Sequence, residues 1–171
     1  FRAFLEQNIK GVDIVAINEL GSLDSSHHLM QFDSSHGKLP LRIIKTKSGL
    51  RYNNKNIIFY SEKDPKNLPW GKLKIDVVLE CSGAFTSKEK SQAHLDSGAK
   101  KVIISAPASN VDATIVQGVN NNVLNKKHNI ISNASCTTNC LAPVAMILDK
   151  VFGIESGFMT TIHSFTGDQR T

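Results

Sequence analysis

The sequence predicts an α/β chain carrying a doubly wound, mostly parallel sheet. Three observations predict it. The runs VDIVAIN (Val12 to Asn18), IDVVLE (Ile75 to Glu80) and KVIIS (Lys101 to Ser105) are nearly continuous apolar strands, the mark of strands covered on both faces. Segments with helical patterning separate such strands. The strand ends, Asn18-Glu19, Ser82-Gly83, Ser105-Ala106-Pro107 and Ser135-Cys136, are polar or small, as a ligand-facing rim of such a sheet is.

Along the chain, Phe1 to Glu6 is helix-like and carries no start signal, so it reads as the continuation of something upstream. Val12 to Asn18 is the first strand. Asp24 to Phe32 is helical, and Asp33 to Gly37 is a turn. Leu41 to Lys45 and Ile57 to Ser61 bracket a turn at Asn53-Asn54, which predicts an antiparallel excursion. After the strand Ile75 to Glu80, Ser87 caps a helix that runs to Asp96, and Gly98 stops it. Lys101 to Ser105, Ala113 to Val119 and Asn129 to Ser132 are further strands. A helix from about Thr137 to Phe152 ends at Gly153, and Met159 to Phe165 is a last strand.

The 171 residues suit one ordinary domain or one and a fraction, and a composition 40% hydrophobic and 20% charged is that of a globular chain. The formal charge of +5 favours anionic ligands, but the lysines are scattered with few aromatics among them, which argues against nucleic acid. No apolar run approaches a membrane span, and no signal peptide is visible. Three cysteines, Cys81, Cys136 and Cys140, form no disulfide framework and point to a reducing compartment.

The segment Ser132 to Val144, SNASCTTNCLAPV, carries the most chemistry. It joins a strand to an apolar helix. A cysteine at such a junction meets unpaired backbone N–H groups and the positive end of the helix dipole, which favour thiolate. Small buried cysteines are often mere core, yet Ser135, Thr137, Thr138 and Asn139 surround Cys136 with groups suited to a phosphate or an oxyanion. Cys140 lies one turn on, but no second pair of ligands stands at metal spacing, so no metal site is expected. His163, among Thr160, Thr161, Ser164 and Thr166, is either a general base for Cys136 or an ordinary strand histidine. Glu19, closing the first strand, either bonds the ribose hydroxyls of a dinucleotide or is a plain exposed acid. The Gly-x-Gly-x-x-Gly loop of dinucleotide folds is absent from this sequence.

With Cys136, Asn139 and His163 in view, the sequence resembles the phosphorylating glyceraldehyde-3-phosphate dehydrogenase family. ASCTTNC is that family's signature, and DIVAIN, HLMQFDSSHGK, EKDP, ECSGAF, AHLDSGAKKVIISAP, QGVN and GFMTTIHSFTGDQ extend the likeness over essentially the whole chain. The resemblance implies a Rossmann-like NAD-binding domain over residues 1–134, lacking its first strand and glycine loop. The start of an α+β catalytic domain follows over residues 135–171. It implies that Cys136 attacks the aldehyde of glyceraldehyde 3-phosphate, with His163 as its acid–base partner. Ser135 and Thr137 are implied for inorganic phosphate, and Thr166 for the substrate's own phosphate. Asn18, Glu19, Lys63, Ser82, Gly83 and Ser105 are implied for NAD. Glu19 stands where the family commonly has Asp and Lys63 where Arg is common; both keep the charge sign, and a carboxylate at position 19 favours NAD over NADP.

The resemblance further implies a cytoplasmic homotetramer when intact, no nucleic acid, no membrane, and a chain that is an internal piece of a protein about twice its length, inactive alone. Its nearest rival is the erythrose-4-phosphate dehydrogenase relative, which shares the nucleophile motif. A different class is a binding protein that has kept the dinucleotide scaffold and lost the chemistry.

Overall fold

The computed structural model describes residues 1–164. They form two compact units, Phe1–Asp76 with Ala93–Lys100, and Val77–Gln92 with the residues from Lys101 onward. The expected α/β architecture with parallel pairing is present, its strands divided between two four-stranded sheets.

In the first unit the chain runs through α1 (Arg2–Glu6), β1 (Ala16–Asn18), α2 (Leu23–Gln31) and a small hairpin of β2 (Phe32–Asp33) and β3 (Gly37–Lys38). It continues through β4 (Ile44–Lys45), β5 (Gly49–Tyr52) and β6 (Lys55–Tyr60). The sheet order is β1-β6-β5-β4, with β1 parallel to β6 and the other pairs antiparallel. The predicted antiparallel excursion is present, but its Asn53-Asn54 turn joins β6 to β5, a strand the sequence pattern did not mark, while the expected strand over 41–45 is confined to β4 and pairs with β5 instead of β6. Asn53 and Asn54 both take left-handed φ, 46° and 63°, a conformation asparagine tolerates and a two-residue hairpin needs. Leu5, Leu39, Ile43, Leu50 and Ile57 form the buried core, with Phe4, Ile14, Ile17, Leu23 and Met30 packed against it.

Two other elements here differ from expectation. The first strand is shorter: Ile58 N–H still donates to Val15 C=O, but the ladder starts at Ala16, and Val12 stays exposed. An apolar run becomes strand only where a neighbour offers a ladder. The turn at 33–37 includes paired residues, because Phe32 opposes Lys38 and Asp33 opposes Gly37.

Trp70 anchors the start of the next segment. It is buried, meets Tyr60 edge-on, and its Nε1–H donates to His94 Nδ1 at 3.1 Å. Gly98 ends the preceding helix with φ +106°, and a Cβ there would lie 2.4 Å from the Gly71 Cα.

The second unit carries β7 (Val77–Glu80), β8 (Lys101–Ile104), β9 (Ala113–Thr114), β10 (Ile130–Ser132) and α4 (Cys136–Phe152); α3 (Lys88–Asp96) begins in it. The sheet order β7-β8-β10-β9 is parallel throughout. Val78, Val102 and Ile130 share one register row; Glu80, Ile104 and Ser132 share the row two residues further toward the carboxyl ends. All six are buried. Ser87 caps α3 by accepting the Lys90 N–H.

The strand expected over Ala113 to Val119 is confined to Ala113–Thr114. Asn120 folds the following residues into a turn: its Oδ1 accepts the Val116 N–H and its Nδ2 donates to the Thr114 carbonyl. The strand expected over Met159 to Phe165 does not form in its described part, residues 159–164. Phe158 and Ile162 are fully exposed there, so the alternating pattern has no ladder to join. Helix α4 likewise has no buried residue and presents Val144, Ile147, Val151 and Phe152 to solvent.

Asp112 fastens the amino end of β10 to α3. Its carboxylate accepts the backbone N–H groups of Ile130 and Asn129 and the Lys88 amine, at 3.0, 2.7 and 2.5 Å. The Ile130 N–H first, then the Lys88 amine, bring its pKa from 3.8 down to about 2.

Two predictions follow from these contacts. A carboxyl whose folded pKa is depressed stabilises the fold above its unfolded value and loses that contribution as pH falls toward the folded one. Asp112 therefore supplies on the order of 2 kcal/mol near neutrality. Asp112→Asn is expected to lower stability by about that amount at pH 7, with the difference vanishing near pH 2, as read by urea unfolding at several pH values. Gly98→Ala is expected to cost more than about 2 kcal/mol, because a left-handed alanine must also push the Gly71 backbone away; thermal unfolding measures it.

Candidate active site

The expected cofactor residues and Cys136 follow the carboxyl ends of parallel strands, where each strand hands over to a loop, whereas His163 lies in a segment that forms no strand. In the first unit these are Asn18, Glu19 and Lys63. Asn18 ends β1, and its amide makes a reciprocal pair with the Glu62 backbone: Oδ1 accepts the N–H at 2.9 Å and Nδ2 donates to the carbonyl at 3.0 Å. Asn18 thus ties the loop that carries Lys63 to the end of β1. Glu19 follows, its N–H donating to the Tyr60 carbonyl and its Oε1 accepting the Gly21 N–H at 3.0 Å. Its carboxylate is held at the strand end and exposed, as binding to sugar hydroxyls requires. Lys63 is exposed one residue beyond Glu62.

In the second unit Ser82, Gly83 and Ser105 are organised by a residue that the sequence reading passed over. Glu80 is 6% exposed at the last position of β7. Its Oε1 accepts the Ser82 N–H at 2.7 Å and pairs with the Ser82 hydroxyl. Ser82 Oγ in turn accepts the Ala84 N–H, and Gly83 supplies the left-handed φ of 76° that this turn uses. The Glu80 carbonyl accepts the Ser105 N–H. A carboxylate closing an otherwise apolar strand was the available signal, since a buried charge of that kind is retained only where it has polar partners.

Ser132 is the second such residue. It is fully buried, donates to the Ala106 carbonyl at 2.6 Å and accepts the Ala134 N–H at 3.0 Å. It fastens the loop after β8 to the loop after β10. Cys136 follows as the first residue of α4, behind the N-cap Ser135, whose Oγ accepts the Thr138 N–H at 2.9 Å.

Cys136 Sγ lies 3.1 Å from His163 Nε2, although 27 residues separate them. His163 Nδ1 sits 2.6 Å from the Ser164 carbonyl. A carbonyl only accepts, so Nδ1 carries a proton and the neutral ring presents Nε2 to the thiol as an acceptor. Thr137 Oγ1 is 4.0 Å from the sulfur. The His163 hydrogen bond first, then the Thr137 hydroxyl, hold the Cys136 thiol below the usual thiol range. Ser135, Cys136, Thr137 and His163 therefore come together at the start of α4, whose N-terminal partial charge favours thiolate in the same direction. Thr166 lies outside the described residues. All three cysteines are free, and no cluster suited to a metal ion occurs among the described residues. No helix of the described chain is long and apolar enough to cross a membrane.

The class these features define is an α/β chain with polar groups at the carboxyl ends of its parallel strands and a cysteine–histidine pair at the start of a helix. Residues 1–88 match the family model for the glyceraldehyde 3-phosphate dehydrogenase NAD-binding domain, and residues 135–171 match that for its C-terminal domain. The chain belongs to the glyceraldehyde-3-phosphate dehydrogenase family. It is 49% identical over 171 residues to glyceraldehyde-3-phosphate dehydrogenase 2 of Streptomyces avermitilis, with 99% of this chain and 51% of the relative covered. It is 53% identical over 163 residues to the Clostridium acetobutylicum enzyme (95% and 49% covered) and 50% identical over 171 residues to that of Geobacillus stearothermophilus (99% and 50%). The chain spans about half the length of the curated relatives it matches.

Alkylation kinetics test the pair directly. In a Cys81→Ala, Cys140→Ala background, the pH at which Cys136 reaches half its maximal alkylation rate is expected below the free-thiol value of about 8.5. His163→Asn is expected to move it upward. A midpoint at the free-thiol value that ignores His163 would mean that the pair does not form.

Proposed function

We propose that this chain is the cofactor-binding and nucleophile-bearing part of an NAD-dependent, phosphorylating glyceraldehyde-3-phosphate dehydrogenase. Residues 1–134 belong to its NAD domain and residues 135–171 open its catalytic domain. The observation that carries the proposal is the 3.1 Å approach of Cys136 Sγ to His163 Nε2 at the start of α4.

In this reading His163 takes the thiol proton, Cys136 attacks the aldehyde carbon, and His163 returns that proton to the former carbonyl oxygen, giving a thiohemiacetal. NAD, when bound, supplies the hydride acceptor for oxidation of that adduct. His163 accepts the hydroxyl proton as the hydride departs, and a thioester remains on Cys136. Inorganic phosphate, held by Ser135 and Thr137, displaces the thiolate and releases 1,3-bisphosphoglycerate. Thr166 contributes to the site for the substrate's own phosphate. Glu19 receives the adenosine ribose, and Lys63, Ser82, Gly83 and Ser105 line the cofactor, with Asn18 holding the Lys63 loop. Chemistry supports these roles: an exposed carboxylate at the end of a parallel strand suits ribose hydroxyls and repels a 2′-phosphate. The whole protein acts as a cytoplasmic homotetramer, and the 171-residue chain by itself is inactive.

A chimera tests this. Residues 1–171 replace the matching segment of the Geobacillus stearothermophilus relative, and NADH formation is followed with glyceraldehyde 3-phosphate, NAD and phosphate. Turnover is expected, with erythrose 4-phosphate a poorer substrate. Cys136→Ser is expected to remove activity, and His163→Asn to lower kcat about a hundredfold. A chimera that folds and binds NAD yet reduces none of it sinks the proposal, and so does robust turnover that survives Cys136→Ser.

A further inference from the structure

The turn before the nucleophile is held in a conformation that its residues do not favour on their own. Ala134 is buried and takes a left-handed φ of 60°, which a residue with a Cβ adopts only when its surroundings impose it. On one side Ser132 accepts the Ala134 N–H, and the Asn133 N–H donates to the Ile104 carbonyl. On the other side stands Asn139. Its Nδ2 donates to the Asn133 carbonyl at 2.7 Å and to the Ser135 carbonyl at 2.9 Å, which uses both amide protons. These carbonyls flank Ala134 directly, so one side chain clamps the turn from both ends. Cys136 is the next residue after the clamped Ser135.

We propose that Asn139 is a positioning residue for Cys136, fixing the left-handed turn that brings the sulfur to His163, and is not itself a ligand for an oxyanion or phosphate. The sequence made Asn139 a candidate for either ligand role, because it is one of the polar groups that surround the cysteine. With both protons committed to backbone carbonyls, the amide has no donor left for substrate. The inference rests on the reading of Cys136 and His163 as a pair. It adds that the pair depends on a side chain touching neither group's reacting atom.

The test is the pH profile of Cys136 alkylation in the Cys81→Ala, Cys140→Ala chain. Asn139→Leu keeps the side chain's approximate size and removes its donors. The rate at pH 7 is expected to fall about tenfold and the midpoint to move upward toward the free thiol. His163→Asn, which shifts the midpoint in the parent, is expected to shift it little once Asn139→Leu is present, since the two act through one contact. A residue that merely supports the fold would lower the unfolding temperature and leave the midpoint alone. A second measurement needs no variant: the Asn139 side-chain amide protons of the parent chain are expected to exchange with solvent at least about tenfold more slowly than those of exposed Asn54.

A parent-like midpoint and His163 response in Asn139→Leu overturns the proposal, as does solvent-rate exchange at Asn139. Either result leaves the Cys136–His163 pair standing. A parent chain whose midpoint ignores His163 overturns the pair and this proposal together.

Discussion

The constraint on which the second unit depends is the parallel register of β7, β8 and β10. Glu80, Ile104 and Ser132 lie side by side in one row, so the three strands end together. Parallel pairing also sends all three carboxyl ends the same way, so the loops carrying Ser82, Ser105 and Cys136 open on one edge of the sheet. Antiparallel pairing of any of these strands would send its loop to the opposite edge.

The two buried polar residues in that row turn shared register into fixed geometry. A valine at position 80 or 132 would satisfy burial better, but it would leave the turn at Ser82 and the Ala106 carbonyl without their partners. Glu80 binds the loop of its own strand and, through its carbonyl, Ser105 at the start of the loop after β8. Ser132 joins the loops after β8 and β10. Local hydrogen bonds of this kind convert a row of strand ends into a rim whose groups hold their relative positions. At the last position on that rim Asn139 holds the turn that presents the nucleophile.

Much of the α/β pattern was legible because it is written locally. The apolar runs at Val77–Glu80 and Lys101–Ile104, the Ser87 cap and the stop at Gly98 reflect steric and capping rules that act over a few residues. So does the Asn53-Asn54 hairpin. Local pattern does not settle an element that needs a distant partner. Val12 to Val15 and Met159 to Ser164 have strand composition, yet neither enters a ladder among the described residues, because pairing is a property of two segments. The Ala113 strand stopped early because Asn120, several residues on, bends the chain back.

Residue types and local patterning fix the chemistry available: a cysteine at a strand-to-helix junction, a histidine further along the chain, and a carboxylate closing the first strand. Residue type and local helix-start geometry set those properties. Which groups meet is set by the folded arrangement. Across 27 residues, nothing in the one-dimensional pattern states that His163 presents Nε2 to Cys136, or that its Nδ1 is spent on a carbonyl. Nor does it state that Asn139 faces backwards into the turn. Hydrogen-bond partnership depends on distance and direction in space, and those are fixed only when the strands have paired and α4 has started.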